Sequence, residues 1–232
     1  MEKDKQIALL LSRLKSEDIN VVDDALCTLA DMGPAALDAL PALVLDLNDS
    51  DPSVREIAAS ALGQIGIADE TVIAALMKAI KDEDPDVRGE AASALGYIGI
   101  ADGTVISALM KATEDEDPDV RGEAAYGLAM IDCEDAFPIL IKLLRNDVTD
   151  VRQRVAEALG FPVYRCKEAI KPLTEALHDE DWEVRMFAAQ SLGDIGIVVP
   201  SVFMPLIEAL EDENKEVVET ADQALGRIFE AN

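Results

Sequence analysis

The side chains whose type and spacing could best support ligand binding or catalysis are clustered carboxylates. They recur in four acidic runs at a short motif, Asp-Pro-x-Val-Arg, or at its weaker forms: Lys81–Asp84, Glu114–Asp117, His178–Asp181 and Glu211–Glu213. Clustered carboxylates can bind a hard cation such as Ca²⁺, but this spacing is not that of an EF-hand loop. Helix capping and solvation already account for these acids. Capping is therefore the favoured interpretation, and we expect no metal site.

The sequence offers little for catalysis. It has no glycine-rich phosphate loop, no Ser/His/Asp set and no metal-ligand spacing. The single histidine, His178, is expected to be a surface residue in a turn. Cys27, Cys133 and Cys166 lack CxxC spacing and an evident activating base, which is typical of thiols in a reducing cytoplasm. We expect a cytoplasmic protein with no catalytic residues and no cofactor. Enzymatic activity stays open, with a non-enzyme favoured.

The charge balance narrows the range of partners. A net charge of -27, from 47 acidic and 20 basic residues, disfavours binding to nucleic acids or to anionic membranes. Two interpretations remain: acids on a solvated face keep a long, leucine-rich protein soluble, or they attract a basic protein partner. Solubility is the simpler of the two.

These acids belong to an internal repeat. Two consecutive 33-residue blocks, Ile65–Tyr97 and Ile98–Met130, differ at only eight positions. Self-similarity at such a period indicates a repeat architecture. Extending the register predicts one solenoid domain over residues 1–232, with seven repeats. Their approximate boundaries are 1–33, 34–66, 67–99, 100–132, 133–163, 164–196 and 197–232.

Each repeat has the pattern of two helices. The Asp-Pro pair of the motif predicts a helix start, because aspartate caps the open N–H groups and proline suits the first helical position. Valine and leucine columns then give this second helix, helix B, one apolar face, and Gly66, Gly99 and Gly196 are expected to end it. Helix A precedes the motif with a similar stripe. Its prolines are predicted to bend or restart the helix: Pro41, Pro138, Pro172 and Pro205.

The motif Asp51–Arg55, followed by Ala58-Ala59-Ser60-Ala61-Leu62-Gly63, resembles HEAT repeats of the phycobilisome-lyase-like type. The resemblance covers nearly the whole chain. It implies an all-α, right-handed solenoid, with A helices on the convex side and B helices lining a concave groove. It also implies that the turn arginines are structural and bridge adjacent repeats through turn acids: Arg55, Arg88, Arg121, Arg152 and Arg185.

Enzymes and lyase subunits also carry repeats of this type. Deoxyhypusine hydroxylases resemble it but bind iron through His-Glu pairs, and a chain with one histidine cannot assemble such a site. Bilin lyase subunits share the repeat as well. A bilin lyase-like or chaperone-type subunit acting on a protein client is therefore our alternative hypothesis.

Helical periodicity predicts the residues that would line the groove. Counting from the turn arginine, positions one, five and nine lie opposite the apolar stripe, and position two lies at the margin. Aromatic residues and methionines gather there in the middle repeats: Tyr97, Tyr126, Met130, Phe161, Met186 and Phe187. The acids expected to steer a basic segment are Glu90, Glu123 and Glu157. Exposed aromatic residues rimmed by acids are typical of a protein- or peptide-binding patch, although packing against inter-repeat loops would place the same residues there. The favoured prediction is a protein-interaction scaffold or adaptor that binds a basic protein or peptide partner.

Overall fold

The structure is a computed structural model that describes residues 2–131, 134–160, 167–197 and 199–230. The chain divides into two compact units, residues 1–127 and residues 128–232. Every regular element in the described residues is a helix. This confirms the predicted all-α repeat fold.

The first unit contains helices in the predicted A–B alternation. The A helices are α1 (Glu2–Arg13), α3 (Leu40–Asp46), α5 (Glu70–Ala79) and α7 (Gly103–Ala112). The B helices are α2 (Ile19–Met32), α4 (Pro52–Ile65), α6 (Pro85–Ile98) and α8 (Pro118–Met130), whose last three residues fall in the second unit. A 3₁₀ segment, Gly33–Ala39, precedes α3.

The second unit continues the alternation. Its A helices are α9 (Phe137–Asn146), α11 (Lys167–Ala176) and α13 (Pro200–Ala209). Its B helices are α10 (Thr149–Ala158), α12 (Trp182–Ile195) and α14 (Lys215–Glu230). A short 3₁₀ segment, Glu134–Ala136, precedes α9.

The motif aspartates begin the B helices as predicted. Asp51, Asp84 and Asp181 are the N-cap residues of α4, α6 and α12, and each carboxylate accepts from the backbone N–H two residues later, at 2.9–3.0 Å. The helices end at Gly66, Gly99 and Gly196, with φ of 66°, 72° and 66°. Because only glycine enters this left-handed region without strain, the glycine signal marked these ends correctly.

Glycines inside the B helices let neighbouring repeats approach closely. A Cβ added at Gly96 of α6 would lie 2.4 Å from the Cα of Gly127 in α8. In the second unit, a Cβ at Gly193 would lie 2.8 Å from the Cα of Ala224. The valine and leucine columns meet beneath these contacts, and Val87 and Leu95 of α6 are buried. The fold therefore sets the spacing of successive B helices by backbone contact.

The four helix A prolines behave in two ways. Pro41 and Pro138 lie in the first turn of α3 and α9, each directly after a 3₁₀ segment, so helix A restarts there as predicted. Pro172 and Pro205 lie inside α11 and α13, which continue through them. Helix A does not restart at the last two, because the preceding residues are already α-helical, and the alternative of a bend at these prolines stays a prediction.

One segment, Ile19–Asp46, is long and apolar enough by length and composition to cross a membrane, with a mean hydropathy of 1.3. Core helices of globular proteins meet the same criterion. Here the segment folds as α2, a 3₁₀ segment and α3.

Candidate functional site

The candidate side chains lie on the B helices, and the helix starts fix their register. We use the name B face for the side of helix B that carries positions one, five and nine after the turn arginine, with position two at its margin. Tyr97 on α6 is 48% exposed, whereas Tyr126 on α8 is half-buried. In the second unit, Met130, Met186 and Phe187 are each half-buried, and Phe161 lies outside the described residues.

The structure brings two of the predicted residues together. The ring centroids of Tyr97 and Tyr126 are 6.3 Å apart, and the ring planes are inclined by 55°. This is a favourable tilted arrangement for an aromatic pair. The close approach of α6 and α8 at Gly96 and Gly127 makes it possible. The pair presents an aromatic surface with one ring half exposed.

Small residues occupy the B-face positions that precede the tyrosines on α6 and α8. Gly89, Ser93 and Gly122 occupy B-face positions and are buried. A Cβ added at Gly89 would lie 3.5 Å from the Cγ of Glu123, so the Glu123 side chain extends across this glycine. The absence of large side chains at positions 89, 93 and 122 leaves the tyrosines as the bulky feature of the B face on α6 and α8.

Carboxylates dominate the N-terminal end of the B face. Glu56 of α4 occupies position one, and its pKa is raised by burial and by the charges of Asp86, Glu90 and Asp84. Burial makes the largest contribution, and the three neighbouring carboxylates add repulsion that makes the local potential more negative. Glu90 and Glu123 are half-buried and take part in interactions of their own. Sequence reasoning placed Glu90 and Glu123 on this face but missed Glu56.

In the second unit, an amide side chain occupies the position that Glu56 occupies in the first unit. Gln153 of α10 stands where α4 has Glu56, and its Nε2 donates to Asp181 Oδ1 at 3.1 Å and to Glu183 Oε2 at 2.6 Å. The amide thus bridges the two acids of the next helix start. Glu157, the third predicted steering acid, is half-buried one turn further along α10. The sequence signal was position one after the turn arginine, which holds Glu56 in α4 and Gln153 in α10.

The turn arginines form paired hydrogen bonds across adjacent repeats. Arg55 donates from Nε and Nη2 to the two carboxylate oxygens of Asp82, at 3.0 and 2.7 Å. Its Nη1 donates to the carbonyl oxygens of Asp49 and Ser50 in its own turn. The same bidentate hydrogen bonding, at 2.7–3.0 Å, joins three further pairs: Arg88–Asp115, Arg152–Asp179 and Arg185–Asp212.

Arg121 follows the pattern within its own turn. Its Nη1 donates to the carbonyl oxygens of Asp115 and Glu116, at 2.9 and 3.1 Å. We call the arginines and their aspartates the turn ladder. In each of the four pairs the aspartate follows its arginine by 27 residues, a spacing that was present in the sequence.

Three of the ladder aspartates, Asp82, Asp115 and Asp212, have pKa values below the ordinary range. The hydrogen bonds from Arg185 lower the pKa of Asp212 against the opposing effect of burial, and the backbone N–H of Asn214 lowers it further. The same bonds raise the pKa of Arg185. A carboxylate held in this way is a structural ion-pair partner, and its acidity gives no indication of catalysis.

The described clefts lie along the turn ladder and away from the tyrosines. A cleft of about 850 Å³ lies between the ends of α3 and α5, beside Asn48, Lys78 and Asp82. Smaller clefts beside Arg88 and beside His178 occupy the corresponding edges of later repeats. A cleft that recurs with the repeat is a product of helix stacking, and we assign it no ligand. Within the described residues, no three His, Cys, Asp or Glu side chains are placed to hold a metal ion.

Comparison with known families agrees with this architecture. The HEAT-repeat profile matches residues 7–83, 40–110, 73–160 and 149–226, which together span most of the chain. The chain belongs to the HEAT-repeat family. No functionally curated protein is detectably similar to it in sequence.

Solved structures share the HEAT-repeat fold. The E. coli protein YibA aligns at a TM-score of 0.65 and 20% identity, covering 97% of this chain and 95% of its own. The CpcE–CpcF complex of phycocyanin lyase from Nostoc sp. PCC7120 aligns at 0.57 and 22%, covering 95% and 94%. An engineered protein aligns at 0.51 and 27%, covering 96% of this chain and 68% of its own.

Proposed function

We propose that this HEAT-repeat protein is a cytoplasmic interaction scaffold whose B face binds a basic segment of a protein partner. The observation that carries the proposal is the Tyr97–Tyr126 pair, with one ring half exposed on a helix face lined by small residues. Tyrosine supplies a large, rigid contact area with a polar tip, and for this reason it is enriched at binding hot spots.

Electrostatics supports a basic partner. The charges of Asp86, Glu90 and Asp84 act on Glu56 and contribute, after burial, to its raised pKa, and the chain as a whole carries a net charge of -27. Complementary charge accelerates encounter and favours one class of partner over others. Met130, Met186, Phe187 and Glu157 are proposed as the contact residues of the second unit, and Phe161 is proposed with them from its sequence position.

A capture experiment with matched variants tests the proposal. The baits are the wild-type chain, a variant with alanine at Tyr97, Tyr126, Met130 and Met186, and a control with alanine at Met204 and Ile207. The control residues are also exposed and apolar but lie on α13. Circular dichroism establishes that all three baits are folded.

We expect a partner that the wild type and the control capture and the quadruple variant loses. Crosslinking should then locate the contact on a partner segment rich in Lys and Arg. Equal capture by all three baits would contradict the proposal, and so would an acidic contact segment. A captured complex that absorbs visible light would favour the bilin lyase-like alternative.

A further inference from the structure

The B face of the first unit suggests which kind of segment binds, and this inference rests on the proposed function. We propose that the Tyr97–Tyr126 surface binds a short linear segment in which one basic residue and one large apolar residue lie about three positions apart. The apolar residue contacts the tyrosines, and the basic residue lies toward the N-terminal ends of α4 and α6.

The apolar contact is placed by the tyrosine rings. Tyr97 lies next to the end of α6, and about half of its surface is open. The 55° inclination to Tyr126 leaves the two rings splayed at a centroid distance of 6.3 Å. A leucine or phenylalanine side chain can contact splayed rings with favourable edge and face geometry.

The polar contact is indicated by a comparison within the molecule. In the second unit, the Gln153 amide donates to Asp181 and Glu183 on the following helix start. In the first unit the equivalent residues are Glu56, Asp84 and Asp86, and Glu56 brings a carboxylate in place of the donor. A guanidinium or ammonium group from a partner would supply the donors that the Gln153 amide supplies in the second unit.

Helix geometry sets the separation of the two contacts. Glu90, whose charge also acts on Glu56, is the acid of this group nearest to Tyr97 along α6. The two residues are seven positions apart, which is two turns and about 10 Å along the helix axis. An extended peptide advances about 3.3 Å per residue, so about three residues span this distance. The B-face residues of α6 along this path, Gly89 and Ser93, are small and buried, and the Glu123 side chain extends across Gly89, so the segment would lie above that side chain.

The experiment uses synthetic peptides and the full chain labelled with ¹³C at its tyrosine rings. The chain has three tyrosines, and Tyr97→Phe assigns the Tyr97 signal. Three Gly/Ser-based peptides of identical composition carry one Arg and one Phe adjacent, three positions apart or far apart. NMR titration suits the weak affinity expected of such short peptides.

We expect the peptide with the intermediate spacing to shift the Tyr97 and Tyr126 signals and to bind at least about fivefold more tightly than the others. Glu56→Gln should weaken its binding by roughly 3- to 10-fold and leave a peptide with Ala in place of Arg unaffected. Met204→Ala is the matched control and should bind like the wild type.

Two results would overturn the inference: affinity that does not depend on the spacing, or a Glu56→Gln effect that persists with the Ala peptide. Either result leaves the proposed function standing if the quadruple variant still loses its partner. Retention of the partner by that variant would instead remove the proposed function itself.

Discussion

The turn ladder is defined at the level of single side chains. Asp212 accepts two hydrogen bonds from Arg185 and one from the Asn214 N–H, and Arg185 also donates to two carbonyl oxygens of its own turn. Each of the four paired arginines therefore binds the carbonyls of its own A–B turn and joins that turn to the next. Because both charged groups are about one-tenth exposed, their pairing is screened far less than a surface ion pair.

Removing a ladder arginine should destabilise the protein markedly. Arg185→Ala removes the guanidinium donors from the Asp212 carboxylate and from the carbonyls of Asp179 and Glu180. We therefore expect a loss of about 2–3 kcal/mol of unfolding free energy. Arg145→Ala is the control, since the Arg145–Glu175 pair is 46% exposed on both sides and should contribute below about 1 kcal/mol. Urea unfolding measures both, and equal losses would contradict a structural role for the ladder.

Glu56 and Gln153 offer a reciprocal test at the B face. Burial and neighbouring acids raise the Glu56 pKa, so the ionised form is disfavoured in the folded state at neutral pH. Glu56→Gln should therefore raise the melting temperature at pH 7. The gain should shrink as the pH falls through the raised pKa and vanish below the ordinary glutamate range, where both states are protonated.

The mirror substitution should act in the opposite direction. Gln153→Glu replaces a donor to Asp181 and Glu183 by a third carboxylate, so the melting temperature at pH 7 should fall. Differential scanning fluorimetry of both variants at neutral and acidic pH provides the measurement. Changes of the same sign in both variants would show that the carboxylate repulsion is unimportant.

Residue-level prediction succeeded where the chemistry is local. Asp51 and Gly66 were identified as helix boundaries because capping depends on a few adjacent residues. The prominence of Glu56 depends on the acids of α6 that lie beside it in the fold, 28 to 34 residues away in the sequence. The tilted contact of Tyr97 with Tyr126 likewise depends on the distance between two helices, which the periodicity of one helix does not contain.

At the scale of elements, backbone contact between B helices governs which glycines can change. A Cβ at Gly193 of α12 would lie 2.8 Å from both the Cα and the Cβ of Ala224, and backbone atoms cannot rotate away. Nothing lies within 4 Å of a Cβ at Gly226 of α14. The two glycines occupy the same column of neighbouring repeats and share a helical environment.

This difference predicts opposite effects for one substitution. Gly193→Ala should destabilise by about 1–3 kcal/mol, because α12 and α14 must move apart. Gly226→Ala should stabilise by up to about 1 kcal/mol, because alanine favours the helix and meets no obstacle. Thermal and urea unfolding distinguish the two, and a neutral Gly193→Ala would mean that the helices adjust freely.

The prolines show where element-level prediction reaches its limit. The same proline signal stands beside a restart at Pro41 and inside a continuous helix at Pro172. The outcome depends on whether the preceding residues form an α-helix or a 3₁₀ turn. That choice is decided by packing against neighbouring elements, and the proline does not determine it.

At the scale of the whole molecule, the excess of acids is the dominant physical property. A net charge of -27 makes long-range repulsion work against every compact state. The ladder pairs are short-range and partly buried, so moderate salt should leave them largely intact.

The melting temperature should therefore rise by a few degrees as NaCl increases from ~10 mM to ~150 mM. Calorimetry at several salt concentrations measures the effect, with Na₂SO₄ at matched ionic strength separating screening from specific ion effects. A fall in melting temperature with salt would indicate that favourable ion pairs outweigh the general repulsion.

The ladder also bears on how such a chain can lengthen over evolutionary time. A 33-residue block carries an arginine that reaches forward by 27 residues and an aspartate that receives the arginine of the block before it. Copying one block in tandem therefore leaves no arginine–aspartate pair of the turn ladder incomplete. The copy presents the same donor and the same acceptor at its two borders. The near-identity of Ile65–Tyr97 and Ile98–Met130 is what a recent duplication of this kind would leave, with Ser93 and Tyr126 marking divergence on the B face after the copy was made.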